Sequence, residues 1–215
     1  MACTRAAHRP DAARQFRFLS AAALVAVLAV APHGARAAEE GITTDRPDFV
    51  ESGDVVGASH VQLETGLSLE RDTRDGVQSS ISTTPLLVRM GLSDRFEARV
   101  EADGMTVASE TVAGRTTTTR GFSDISLGVK MHVADNDGAV PGMAVLMHVD
   151  TASGSAAFRG DGMRPSLRAV AEWELPGDSS LGIMPGVVYD SDGQQRYWYG
   201  IMAATFGKQW TPKVR

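Results

Sequence analysis

The sequence predicts an all-β fold of antiparallel strands that follow one another up and down, and three observations indicate it. Apolar and polar residues alternate without a break over residues 60–71, a period of two that is typical of strands and not of helices. The same alternation returns at residues 96–103 and again at 124–133. Turn-forming pairs such as Ser93-Asp94 separate the alternating segments. About eight strands are expected between residues 59 and 215.

The first 37 residues form a predicted secretory signal peptide. Arginines precede a 13-residue apolar run at residues 18–30, and Ala35-Arg36-Ala37 offers a small-x-small cleavage site. The apolar run is too short to span a bilayer as a helix, which needs about 20 residues. The mature chain is therefore expected to be exported and to begin at Ala38.

The expected mature chain is acidic and contains no cysteine. Cleavage removes five of the 21 basic residues and one of the 26 acidic residues, which leaves a net charge of −9. Nucleic-acid binding needs clustered basic residues, so nucleic acid is not an expected partner. Cys3 leaves with the signal peptide, so the exported chain can form neither a disulfide nor a thiolate metal site. We expect the sheet alone to hold the fold together.

The segment before the first strand, residues 38–58, is predicted to be an extended periplasmic arm. Its residues 43–49 are mostly polar and contain Pro47, a composition that does not fit a central strand. An irregular lead-in is the favoured interpretation, and a plug or gating segment is the alternative.

The strands after the arm are placed by the same alternation. They are predicted at residues 60–71, 79–92, 96–103, 124–133, 142–150, 164–175, 181–190 and 197–207. Polar loops are expected at residues 72–78, 106–121 and 151–163, and shorter turns at the opposite strand ends. The loop at 151–163 is rich in glycine and serine, and it is expected either to cap the fold or to be a solvated connection.

Three features favour a transmembrane barrel over a soluble secreted β-sandwich, which is kept as an alternative. Long loops alternate with short turns, and strands of about 9 to 12 residues exceed the usual globular length. The polar face also carries four ionisable groups in a row at residues 97–103, which suits a watery or charge-paired interior. Aromatic residues lie at strand ends, as in the interfacial girdles of membrane barrels, and these residues are Phe96, Trp173, Tyr189, Tyr197, Tyr199 and Trp210.

The polar face would line the interior of this barrel. The lumen-facing candidates are Glu64, Glu97, Arg99, Glu101, Asp103, Asp124, Lys130, His132, His148, Arg168 and Glu172. By parity the same face also carries Glu70, Arg89, Asp150 and Glu174, so acidic residues exceed basic ones and an open channel would disfavour anions. If the barrel has only eight strands, we expect a charge-paired filling instead of an open pore.

No catalytic or metal-binding motif is expected in the mature chain. His132 and His148 share the polar face of neighbouring strands, but a turn at 134–141 would pair His148 near Gly128, roughly 13 Å from the other imidazole and too far for one ion. A hydrolase triad could draw only on His148, Asp150 and Ser153, and that serine lies in a loop without a Gly-x-Ser-x-Gly motif. The protein is expected to be non-catalytic and to hold no cofactor or metal.

Five short motifs resemble those of one family. They are Ile42-Thr43-Thr44-Asp45-Arg46-Pro47-Asp48-Phe49, Gln62-Leu63-Glu64-Thr65-Gly66, Gly91-Leu92-Ser93-Asp94-Arg95, Gly121-Phe122-Ser123-Asp124 and Gly128-Val129-Lys130. The family comprises transporter-like outer-membrane proteins grouped as "putative MetA-pathway of phenol degradation", and the resemblance covers essentially all of the mature chain. It implies a barrel in the outer membrane of a Gram-negative bacterium that carries small aromatic or other hydrophobic molecules.

The end of the chain departs from the pattern of the family it resembles. Members usually continue through several more strands after the turn at 207–211, whereas Lys213-Val214-Arg215 follows here. We therefore expect a chain that is truncated relative to a larger barrel.

The expected function is that of an outer-membrane transporter or channel, with outer-membrane lipid and a small-molecule solute as partners. The main alternative is a structural or adhesive barrel that acts through its loops, and the third is the soluble secreted β-sandwich.

Overall fold

The computed structural model describes residues 42–46 and 49–211, which belong to one compact unit. The predicted signal peptide at 1–37 and the first residues of the predicted arm lie outside the described residues. Twelve strands and no helix make up the regular structure of the described part, so the all-β prediction is confirmed. Over those same residues, the chain contains no helix with the length and apolar character needed to cross a membrane.

The strands form two antiparallel sheets. They are β1 (Val61–Thr65), β2 (Ser68–Arg74), β3 (Val77–Thr83), β4 (Leu86–Gly91), β5 (Phe96–Ala102), β6 (Met105–Val112), β7 (Arg115–Phe122), β8 (Ile125–Ala134), β9 (Gly142–Asp150), β10 (Arg164–Leu175), β11 (Ser179–Ser191) and β12 (Arg196–Lys208). Sheet A has the order β1-β4-β5-β8-β9-β10-β11-β12, and sheet B has the order β2-β3-β6-β7. Within the described residues no pairing joins β1 to β12, so sheet A is antiparallel but not closed.

Four long strands break at one level, and this break separates the two sheets. The breaks lie at Gly66-Leu67, Thr84-Pro85, Asp103-Gly104 and Ser123-Asp124. Pro85 has no N–H to offer a ladder, and Gly104 adopts a left-handed φ of 67°. A Cβ at Gly104 would lie 2.3 Å from the carbonyl oxygen of Thr84, so only glycine fits there. Beyond the breaks the four strands pair with one another as sheet B.

The prediction of loops at residues 72–78 and 106–121 is wrong. Both regions are hairpins of sheet B, with two-residue turns at Asp75-Gly76 and Ala113-Gly114 in which all four residues have positive φ. Exposed polar residues dominate this sheet, so its composition resembles that of a loop. Threonine nevertheless favours strands, and cross-strand hydroxyl pairs such as Thr111 with Thr116, 2.8 Å apart, add hydrogen bonds. The prediction of a loop at 151–163 is confirmed, because that segment contains no strand.

Sheet A buries its polar face and exposes its apolar face. Arg89, Glu97 and Lys130 are fully buried, whereas Leu63 is 57% exposed and Leu127 is 52% exposed. A small apolar cluster adjoins the buried charges on the same face, and its members are Val50, Ala144, Leu146, Val170 and Met184. The polar face of sheet A is therefore the buried face of the described unit.

Candidate functional site

The arm, described over residues 42–46 and 49–58, lies against the polar face of sheet A. Its irregular backbone finds partners among strand side chains. The guanidinium of Arg89 donates to the carbonyl oxygens of Thr43 at 3.0 Å and Asp54 at 2.9 Å. The N–H of Val56 donates to a carboxylate oxygen of Glu97 at 2.9 Å. Because buried backbone groups need partners, these charged side chains hold the arm in place.

Gly91 at the end of β4 allows the arm to pass close to the sheet. A Cβ at this position would lie 1.5 Å from the carbonyl oxygen of Gly57, an impossible contact. The arm turns here through Gly57, whose φ is 74°, and the N–H of Ser59 donates to the carbonyl of Gly91 at 3.0 Å. The absence of a side chain at Gly91 thus sets the path of the arm into β1.

The carboxylate of Asp45 is the centre of the buried charge cluster. It lies 2.6 Å from Nη1 of Arg99, 3.1 Å from Nζ of Lys130 and 3.5 Å from Nη1 of Arg89. The N–H and the hydroxyl of Ser52 also donate to it, at 2.8 and 2.7 Å. Burial alone would raise the pKa of Asp45, but the charges of Lys130, Arg99 and Arg89 outweigh that effect and hold the pKa well below 3.8.

Strand carboxylates balance the two arginines. One oxygen of Glu97 accepts from Nε of Arg89 at 3.0 Å and from Nη1 of Arg99 at 3.1 Å. Glu64 contacts Arg89 at 3.3 Å through one oxygen and accepts the N–H groups of Asp45 and Arg46 through the other. Such a network is costly to break, because removal of one partner leaves an uncompensated buried charge.

His148 and His132 have different partners. Nε2 of His148 lies 3.0 Å from a carboxylate oxygen of Glu101, whereas His132 contacts the carbonyl of Gly53 and the carboxylate of Asp135. The predicted pairing of His148 with Gly128 is confirmed by the register of β8 and β9. A Cβ at Gly128 would come within 2.2 Å of the His148 ring, so this glycine provides the space for the imidazole.

The described residues contain no group of three or more His, Cys, Asp or Glu side chains that could hold a metal ion. The three residues considered for a hydrolase triad also have other partners. The hydroxyl of Ser153 accepts the N–H of Ile125 at 2.9 Å, and His148 faces Glu101. Asp150 lies 3.7 Å from a guanidinium nitrogen of Arg164.

A small cavity of about 150 Å³ lies between the arm and sheet A. Glu51 borders it and pairs with Arg99 at 2.8 Å and with Arg168 at 3.2 Å. Burial nevertheless keeps the pKa of Glu51 raised, and nearby Asp45 adds to that effect. Apolar side chains of Phe49, Leu87 and Met184 complete the lining, so the cavity has both charged and apolar walls.

A larger cavity of about 390 Å³ lies near the level where the sheets separate. Hydroxyl groups, two carboxylates and two apolar side chains surround it. Its lining residues are Ser68, Glu70, Ile81, Thr83, Asp103, Thr106, Ser123 and Phe158. Asp103, which the sequence places among the lumen-facing candidates, therefore borders this cavity.

Two further candidates lie away from the charge cluster. The carboxylate of Asp124 accepts the N–H groups of Gly154 at 2.7 Å and Gly160 at 2.8 Å, and Nη2 of Arg164 at 2.9 Å, so it anchors the loop at 151–163. Glu172 lies opposite Gly142 in the β9–β10 register, and its backbone carbonyl accepts from Asn136.

The structure brings most of the sequence candidates together and adds residues that the sequence did not select. Those at or beside the cluster are Glu64, Glu97, Arg99, Glu101, Lys130, His148 and Arg168. Sequence reasoning missed Asp45, Glu51 and Ser52, because the arm has no period from which an inward face can be read. The acidic residues of the arm could have pointed to these contacts, because they can neutralise cations on the polar face of a neighbouring sheet.

Comparison with known proteins identifies a family. The family described as "Putative MetA-pathway of phenol degradation" matches residues 44–215, which include the arm from Thr44 onward and all twelve strands. No curated protein matches the chain. The match covers most of the sequence and agrees with the resemblance carried by the five motifs. The chain therefore belongs to the "Putative MetA-pathway of phenol degradation" family.

Proposed function

We propose that this protein is a bacterial outer-membrane β-barrel that conducts small solutes along the polar face of sheet A, without catalysis. The observation that carries the proposal is the inverted burial of sheet A. Ionisable side chains are buried between the sheet and the arm, while leucine, valine and methionine side chains point outward. A water-soluble sheet buries its apolar face, whereas a sheet in lipid exposes it.

The outward face supports the lipid-facing part of the proposal. Exposed apolar residues occupy every second position of β8 from Leu127 to Val133, and Met147 is exposed on the neighbouring strand β9. Soluble monomers rarely expose contiguous apolar surface of this kind. Lipid would also require the edge strands β1 and β12 to be paired, because unpaired N–H and C=O groups are costly in hydrocarbon.

Aromatic residues near both ends of β12 support the same orientation. Trp198 is 65% exposed and packs against Tyr189 on β11, with ring centroids 4.9 Å apart. Trp210, just beyond the other end of β12, is 75% exposed. Twelve residues of strand at a tilt of about 40° cover roughly 30 Å, which is close to the thickness of a hydrocarbon core.

The solute class follows from the two cavities and the family. Both cavities combine hydrogen-bonding groups with an aromatic side chain, Phe49 in the smaller and Phe158 in the larger. That mixture suits a small molecule with one apolar part and one polar part. The family description names phenol degradation, so we propose small aromatic or other hydrophobic solutes.

A structural or adhesive barrel is the second candidate, and the docked arm favours it. The arm fills the polar face, and an interior filled by side chains does not conduct. Sheet B also presents an exposed polar surface with a row of threonines at residues 116–119. Such a surface could bind a partner outside the membrane while the strands of sheet A serve only as an anchor.

Fractionation and conductance test the proposal together. The full chain is expressed in a Gram-negative host, membranes are separated on a density gradient, and the purified protein is placed in planar bilayers. We expect recovery in the outer-membrane fraction only with detergent, and discrete current steps. Recovery in the detergent-free periplasmic fraction would exclude a membrane barrel. An outer-membrane protein without current steps or uptake of phenol into vesicles would favour the structural barrel.

A further inference from the structure

Lys130 depends on the arm for all of its polar contacts among the described residues. Its Nζ lies 3.1 Å from Oδ2 of Asp45, 3.3 Å from Oδ1 of Asp45 and 3.2 Å from the hydroxyl of Ser52. Both partners belong to the arm, whereas Lys130 belongs to β8 and has no exposed surface. Sheet A places Glu97 directly opposite Lys130 in the β5–β8 register, but among the described residues the ammonium group takes its hydrogen bonds and its ion pair from the arm alone.

Three adjacent strands supply the cations around Asp45. Arg89 on β4 and Arg99 on β5 are directly paired across the strands, and Lys130 lies on the next strand, β8. Like charges in directly opposed positions repel each other, so this register needs anions on the same face. Glu97 contacts both arginines and Glu64 contacts Arg89, but among the described residues only Asp45, in the arm, places a carboxylate within ion-pair distance of Lys130.

The position of Asp45 has the features of a carboxylate-binding site. Oδ2 receives three cationic groups from sheet A, and Oδ1 receives the donors of Ser52. Charge-assisted hydrogen bonds from arginine and lysine are about twice as strong as hydrogen bonds between neutral groups. One negative charge fits the site better than two, because the carboxylate of Glu97 lies beside the same arginines.

We propose that Arg89, Arg99 and Lys130 form a binding site for the carboxylate of a small organic acid, which Asp45 occupies while the arm is docked. A solute carboxylate that takes the place of Asp45 neutralises Lys130 and frees the arm. The inference deepens the proposed conduit and rests on it for the access of solute to the site. The excess of acidic residues on the polar face would disfavour anions. A carboxylate site on the same face would instead select solutes that carry one negative charge.

Chemical rescue of Asp45→Ala tests the site. The substitution removes the carboxylate, and formate should then occupy the vacant position in the full-length protein purified in detergent. We expect formate to raise the melting temperature of the variant saturably, by roughly 5 °C or more. Sodium chloride at the same ionic strength and neutral formamide should not do so. An equal response to chloride and formate, or no response to formate, would overturn the proposal.

Two variants show where formate acts. Adding Lys130→Met to Asp45→Ala should abolish the saturable response, because the ammonium partner is lost. Asp192→Ala, which removes an exposed carboxylate in the turn after β11, should leave the melting temperature insensitive to formate. A formate response that survives Lys130→Met would place binding elsewhere and would also overturn the proposal.

A second measurement decides the question if Asp45→Ala does not fold. Cys3 is the only cysteine, so Cys3→Ser with Val50→Cys gives a chain with one thiol, on the arm and buried in the apolar cluster where the arm meets sheet A. Benzoate should compete with Asp45 and raise the rate of maleimide labelling about tenfold, whereas benzamide should not; equal rates would overturn the proposal. Neither measurement requires transport, so absence of current in bilayers counts against the conduit alone.

Discussion

The ammonium of Lys130 on β8 lies 3.1 Å from the carboxylate of Asp45 in the arm, and their side chains are 0% and 1% exposed. The two residues are 85 positions apart in the chain. Their contact makes the arm part of the buried centre, because it pairs two charges that both lie away from water. The stability of sheet A and the position of the arm are therefore coupled.

Removing the ammonium should weaken the folded state strongly. Lys130→Met leaves Asp45 with one cation fewer in a buried site, and loss of one partner of a buried pair costs about 3–5 kcal/mol. Arg74→Met on β2 removes an exposed charge and should change stability by no more than about 0.5 kcal/mol. Urea unfolding followed by tryptophan fluorescence measures both variants. Equal midpoints for the two would contradict a buried, coupled pair.

A side chain at Gly91 should displace the arm. Gly91→Ala introduces a Cβ that would lie 1.5 Å from the carbonyl oxygen of Gly57, so the arm has to move. We expect a loss of about 1–3 kcal/mol in the free energy of unfolding and faster cleavage after Glu51 by a glutamate-specific protease, because the docked arm buries Glu51. Gly66→Ala is the matched control, since a Cβ there has no atom within 4 Å. If Gly91→Ala is cleaved no faster than Gly66→Ala, the arm does not pass over Gly91.

The alternation of residues predicted sheet A well, and the reason is geometric. Successive side chains of a strand point to opposite faces, so Glu97, Arg99 and Glu101 share a face whatever covers it. The predicted bounds of two strands, residues 142–150 and 164–175, coincide with β9 and β10 because turn residues flank clear alternation. Alternation alone does not say which face is buried. Burial of the polar face was predicted from loop lengths, strand lengths, the row of ionisable groups and the positions of the aromatic residues taken together.

The alternation of residues could not predict the contacts of the arm or the strands of sheet B. Asp45 and Glu51 lie in an irregular segment, where no period relates one side chain to the next, and their partners are strand residues far along the chain. Sheet B has exposed polar residues on its strands, so the 106–121 region resembled a loop in composition. Only the left-handed turn at Ala113-Gly114 marks it as a hairpin.

Acid should first stabilise the docked arm and then release it. The pKa of Glu51 is raised by burial, so its contribution to stability is complete below about pH 4.5 and is lost as pH rises through the raised pKa. Asp45 has a lowered pKa despite burial, because Lys130 and the two arginines favour its charged form. Its contribution is complete above about pH 4 and is lost as pH falls further.

Urea midpoints measured from pH 7 to pH 2.5 separate the two carboxyls. The midpoint should rise as pH approaches 4.5 and fall below pH 3.8. Glu51→Gln should remove the rise and Asp45→Asn should remove the fall, while exposed Asp72→Asn on β2 should preserve both. A profile that Glu51→Gln and Asp45→Asn leave unchanged would show that other carboxyls control the response to acid.

The carboxylate of Asp124 should determine the order of the loop at 151–163. It accepts two backbone N–H groups and one guanidinium nitrogen, and these donors hold its pKa below 3.8 against the opposing effect of burial. Asp124→Ala removes all three bonds, so we expect the exposed Arg159 in that loop to be cleaved by trypsin roughly tenfold faster. Gly160→Ala should act in the same direction, because its Cβ would lie 1.5 Å from Nη1 of Arg164. Asp72→Ala serves as the control, and equal cleavage of all variants would mean that the loop is anchored by other contacts.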